Sequence, residues 1–177
     1  MPVRVKYVTS VLREHHQRIL EALQLLERAL GAERPDPDDI MALISFASKF
    51  VDACHHSVEE YVLFPEANRR GFPFEGGPIY VMVSEHGVGR YLVRMMELLY
   101  ESWRRGDASA YRDLVDYARL YTDHISQHIA KEDTVLFPML EGSVQDISPL
   151  KSVEEIEREA DHDRWISKLE ELKRKYA

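Results

Sequence analysis

Hydrophobic positions along the chain recur every three to four residues, and histidine interrupts each stripe. Leu12, His16, Ile19, Leu23, Leu26 and Leu30 step by 4-3-4-3-4. Ile79, Met82, His86, Gly89, Val93, Met96 and Tyr100 step by 3-4-3-4-3-4. Leu114, Tyr117, Tyr121, His124 and His128 step by 3-4-3-4. Between Val51 and Leu63 a further segment carries His55 and Glu59. Such stripes are the seams of packed helices, and nothing in them alternates as a strand would.

Helix breakers divide these segments. Residues 31–37 end the first, and Asp36-Pro37 opens the second, with Asp36 as N-cap and Pro37 in the first helical turn. Residues 71–78 are a long Gly/Pro-rich break, Gly106-Asp107 is a short one, and 142–152 is a polar linker. Ser152 with Glu155 has the spacing of a capping box opening a last helix over 153–176, with Ile156, Ala160, Leu169 and Leu172 on one side. Short connections make neighbouring helices antiparallel. The expectation is an all-α, up-down-up-down four-helix bundle over 1–141. The linker and extra C-terminal helix, 142–177, belong to the same domain, packed outside the bundle or at a subunit contact.

One pattern occurs twice: His55, Glu59, Glu60, Val62, Leu63, Phe64, Pro65, and then His128, Glu132, Asp133, Val135, Leu136, Phe137, Pro138. A spacing of four stacks imidazole and carboxylate on one helical face. Each proline removes a backbone donor and predicts a kink just past that pair, with Leu63/Phe64 and Leu136/Phe137 as apolar packing beneath it. With His16 and His86 the inward faces hold four imidazoles and two carboxylates, which an apolar core tolerates only if they are paired, protonated or metal-bound. Six such donors exceed one tetrahedral zinc and suit two cations bridged by carboxylate, with nitrogen and oxygen ligands favouring iron or manganese.

The chain has 177 residues, 45% of them hydrophobic, enough for one packed core. A net charge of −8 argues against a nucleic-acid partner. No apolar run has the length of a membrane span and the N-terminus has no signal-peptide core, so a cytoplasmic location is expected. The single cysteine, Cys54, allows no intramolecular disulfide and reads as a small buried hydrophobe.

These words resemble the hemerythrin-like, HHE cation-binding family: Leu-Arg-Glu-His-His (12–16) with Ile19, the segment 54–65, Ser-Glu-His-Gly-Val-Gly-Arg (84–90) and the segment 128–138. The resemblance covers roughly 8–140. It implies a non-haem diiron centre, oxo- or hydroxo-bridged, with His16, His55, Glu59, His86, His128 and Glu132 as ligands; manganese or another divalent metal is the alternative. Oxygen-carrying relatives place a second histidine where Arg90 stands, and an aspartate at the spacing of Asp133. His124 is therefore weighed as an additional ligand, a hydrogen-bond donor or a cavity wall, and Tyr121 as a hydrogen bond into the pocket. His56 and Glu60 are read as flanking groups, His15 as exposed or supporting, and His162 as solvated. A ferritin-like bundle would need Glu-x-x-His on two helices, and only Glu159 to His162 fits.

Three functions follow as expectations: binding, sensing or storage of oxygen or a related small diatomic or peroxide; a peroxide-consuming or nitric-oxide-handling enzyme; and an iron-dependent interaction module.

Overall fold

The structure, a computed structural model, describes residues 2–177; Met1, the first residue of the expected 1–141 unit, lies outside them. Six helices account for most of the described residues. Helix α1 is Val5–Leu30; α2 runs continuously over 37–69; α3 is Pro78–Arg104; α4 runs continuously over 108–143. These four form the expected all-α bundle, with α3 and α4 packed along their length. The two last helices, α5 (Val153–Glu159) and α6 (His162–Lys175), pack on its flank against α1 and α2.

The caps follow the sequence. Asp36 accepts from the Asp38 N–H at 3.0 Å, and Asp107 accepts from Ser109 at 3.0 Å to open α4. Ser152 and Glu155 close a reciprocal capping box. Two expectations need correction. The linker 142–152 is partly ordered as structure: α4 extends to Ser143, and a two-residue strand β2 (Asp146–Ile147) pairs antiparallel with β1 (Val3–Arg4). The segment 153–176 is two helices, because Asp161 adopts the left-handed conformation (φ 56°) and turns the chain between α5 and α6.

Two apolar clusters fill the bundle. One holds Ile19 to Leu30 of α1 with Ile44, Phe50, Met96, Leu114 and Ile125, and takes in Leu169 and Leu172 of α6. The other holds Val5 to Leu12 with Val62, Leu63, Phe64, Ile79, Leu136 and Phe137, and takes in Val153 and Ile156 of α5. Between them lies a layer of buried histidine and glutamate.

Candidate metal centre

The doubled motif shapes its helices before it presents any ligand. In α2 the stretches Ala47–His56 and Glu59–Leu63, and in α4 the stretch Glu132–Leu136, are π-helical. Phe64 N–H donates to the Glu59 carbonyl, and Phe137 N–H to the Glu132 carbonyl, both i to i−5. The cause is the proline that follows: its ring clashes with the carbonyl four residues back and it has no N–H to give, so the turn widens. The kinks expected at Pro65 and Pro138 are thus wide turns that begin at the two inward glutamates.

His16, His55, Glu59, His86, His128 and Glu132 are all buried and converge from α1, α2, α3 and α4. Their donor atoms form two overlapping sets. His16, His55, Glu59 and Glu132 offer atoms within 4.8 Å of one another, and so do Glu59, His86, His128 and Glu132; His56, outside these six, forms a further such group with His86 and His128. Glu132 belongs to both sets through different oxygens: Oε2 is 3.2 Å from His16 Nε2, and Oε1 is 3.3 Å from His128 Nε2. Glu59 Oε2 lies 3.2 Å from His86 Nε2 and 3.7 Å from His55 Nε2. The carboxylates sit between the imidazole groups.

A second layer of acids aims the rings. His16 Nδ1–H donates to Asp133 at 2.9 Å, His86 Nδ1–H to Glu60 at 2.7 Å, and His128 Nδ1–H to Glu85 at 2.9 Å. The acid following each motif glutamate thus serves the lone histidine of another helix. The motif phenylalanines repeat this logic: Phe137 stacks on His16 (centroids 5.6 Å) and Phe64 on His86 (6.1 Å). With Nδ1 carrying the proton, Nε2 of a neutral ring points a lone pair inward. His86 Nε2 and His128 Nε2 face each other at 3.2 Å, a separation natural for two nitrogens on one ion with bonds of about 2.1 Å.

Without a cation the pocket is poorly satisfied. Both oxygens of Glu59 and Glu132, both ring nitrogens of His55, and Nε2 of His16 and His56 are buried without a hydrogen-bond partner. Burial and the charge on Glu132 push the Glu59 carboxyl well above its usual range. Burial acts on Glu132 in the same direction, but the imidazoles of His128 and His16 outweigh it and hold that carboxyl below its usual range. Burial depresses His55 and His56, keeping them neutral. Burial also opposes a charge on His16, yet its hydrogen bond to Asp133 and the adjacent Glu132 carboxylate hold it up at about 9. Buried polar atoms without partners are expensive, and cations between these donors would satisfy them together. The residues fit metal binding.

Several expected residues stand elsewhere. His124 is half-buried and donates through Nε2 to the Glu85 carbonyl at 2.8 Å, outside both donor sets. The buried stripe of α4 runs through Leu114, Ala118, Tyr121, Ile125 and His128, which leaves Tyr117 and His124 at its edge. Tyr121 is buried, which pushes its phenol well up, and it lines a cavity of ≈ 180 Å³ with Asp52, His56, Gly89 and Arg90; no hydrogen bond to a histidine is made. The fifth inward imidazole is His56, which stacks on His86 at 3.8 Å with Nδ1 3.3 Å from Asp52. An α-helical wheel puts His56 about 100° from His55; the wide turns of α2 bring both inside. The His55-His56 doublet with an acid four residues before His56 is the signal in the sequence that points to it. Arg90 bonds Asp52 (2.8 Å) and Glu60 (2.7 Å) on the rim. Asp133 stands behind His16, while Glu132 faces the donor sets. Cys54 is buried, which pushes its thiol up to about 12. His15 is buried beside His55, and His162 packs on His15.

No helix among the described residues is long and apolar enough to cross a membrane. Comparison with curated proteins gives no match. The family model described as hemerythrin HHE cation binding domain matches residues 8–140, and matches 90–177 as well. With the bundle, the doubled motif and the inward donors all in place, the chain belongs to the hemerythrin HHE cation-binding family.

Proposed function

We propose that the chain is a non-haem diiron protein that binds a small diatomic ligand, oxygen or a close relative. The observation that carries this is Glu132, whose two oxygens face separate histidine sets. One position would be held by His56, His86 and His128 with the two carboxylates, the other by His16 and His55 with the same two. Nitrogen and oxygen donors without thiolate suit iron, and also manganese. A bound iron pair supplies the reversible electron donation that a diatomic ligand requires.

The protein's own part is positional. Asp133, Glu60 and Glu85 fix the tautomers of His16, His86 and His128 and raise their basicity. Phe64 and Phe137 cover two of these rings and exclude water. The unequal sets, five donors against four, leave the His16/His55 position with more room for an added ligand. The cavity past Arg90 and Tyr121 reaches His56, on the five-donor side.

Anaerobically purified protein should hold two irons per chain and change its visible spectrum reversibly when oxygen is added and withdrawn. At most one tightly bound iron per chain would overturn the paired centre; two irons with no reversible change would overturn oxygen binding alone. A second reading, reduction of peroxide or nitric oxide, draws on Asp52. Burial raises its carboxyl pKa, and it touches both His56 and Arg90 in the cavity, where it could hold a proton. Turnover of either compound faster than by free iron would support it, and turnover no faster would remove it.

A further inference from the structure

Besides His124, two histidines lie outside the paired centre, and the fold brings these two together. His15 is on α1, one residue before His16, and is 2% exposed. His162 is the first residue of α6, swung inward by the left-handed turn at Asp161. Their rings lie 5.2 Å apart. Glu157 of α5 completes the group, with Oε1 3.1 Å from His15 Nε2. All three residues offer donor atoms within 4.8 Å of one another.

We propose that His15, Glu157 and His162 form a third, mononuclear site for a divalent first-row transition ion. Two imidazoles and one carboxylate carry a single negative charge and no thiolate, a set that suits zinc, cobalt or ferrous iron. Tetrahedral ligands on such an ion stand roughly 3.3 Å apart, given bonds of about 2.0–2.1 Å, close to the His15–Glu157 separation. His15 Nδ1 is buried without a hydrogen-bond partner, and Nε2 is the ring atom that faces Glu157. On the outer side, His15, Glu157 and His162 line a cavity together with Tyr7, Glu14 and Arg18, from which water would fill the remaining positions. Phe50 closes the inner side against both His15 (5.2 Å) and His162 (5.3 Å).

Each of the three ligands comes from a different helix. An ion there ties α5 and α6 to α1, next to the paired centre, since His15 also packs on the His55 ring at 5.8 Å. The site is therefore a clasp for the C-terminal helices, and occupancy at the surface reports to the histidine layer through one ring.

The test is a cobalt titration of the whole chain, followed by its visible spectrum, for the parent protein, His162→Ala and Glu157→Gln. His162 is partly exposed, and glutamine keeps the shape of Glu157 and its contact with His15. Each variant should bind one cobalt fewer than the parent, or bind that equivalent at least tenfold more weakly, whatever number the inner site takes. Cobalt should slow hydrogen exchange over 153–175 in the parent and not in the variants. Equal cobalt equivalents and affinities in all three proteins, or equal slowing of exchange, would overturn the site. A low total count with the difference between parent and variants intact would instead count against the paired centre alone.

Discussion

The acid after each motif glutamate is where single side chains decide most. Asp133 and Glu60 accept hydrogen bonds from His16 and His86, two rings that belong to neither copy of the motif. Such partners typically govern 10–100-fold in metal affinity. Asp133→Ala should therefore weaken one of the two metal equivalents by about that factor, measured by chelator competition. The same pair controls the metal-free protein. His16 is held up at about 9 against an ordinary 6.5, because its hydrogen bond to Asp133 and the adjacent Glu132 carboxylate outweigh burial. A folded value above the unfolded one means stabilisation that is complete below about pH 6.5 and is lost as pH rises through about 9. A tenfold difference in proton affinity between the folded and unfolded chain is worth about 1.4 kcal/mol. Metal-free protein should thus lose Tm between pH 6.5 and 9, and Asp133→Asn should flatten that fall. A Tm that holds steady over this range would contradict the His16 pairing. At this scale the stripes carry much: stepping by threes and fours chooses His16 over its neighbour as the ring facing the glutamates. They miss His56, because a 3.6-residue wheel turns it away and only the wide turns of α2 bring it back. They also set His15 aside, because its partners, Glu157 and His162, come from helices whose placement no local pattern specifies.

Among the elements, the four long helices and their ends are legible because stripes, breakers and caps are local in sequence. The Asp36, Asp107 and Ser152 caps are examples. Ser152→Ala, which removes the capping box, should cost about 1 kcal/mol and lower Tm modestly. The break at Asp161 is not legible. A non-glycine residue in the left-handed region follows no composition rule, and the stripe Ile156, Leu169, Leu172 reads equally well across a continuous helix. The prolines are plain in the sequence, and a kink is what they predict there. In the structure each one lengthens a turn so that Glu59 or Glu132 begins a π segment. That geometry places the inward carboxylates while Val62, Leu63 and Leu136 stay in the apolar cluster. Pro138→Ala restores the missing N–H and should let 132–136 relax toward α-helix. The metal-free variant should be as stable as the parent or more so, while its metal affinity falls. Unchanged affinity with raised stability would show that the wide turn does not place Glu132.

Across the whole molecule the histidine–glutamate layer separates two apolar clusters that are each well filled. Each cluster draws on all four bundle helices and on one C-terminal helix, so either can hold its end of the bundle by ordinary apolar burial. The layer is different: its carboxylate oxygens and several ring nitrogens are buried without partners when no cation is present. Metal removal should therefore leave helix content nearly intact and lower the stability of the layer specifically. Ions that bind only the folded chain add about 2.7 kcal/mol at a hundredfold excess over Kd. Circular dichroism of the chelated protein should keep its helical signal while Tm drops by several degrees. Hydrogen exchange should quicken around 55–64 and 128–137 more than within 19–30. Global unfolding on chelation would mean that neither cluster stands without the ions. An unchanged Tm would mean that the donors are satisfied by water, which would leave the two carboxylates without the cations their positions imply.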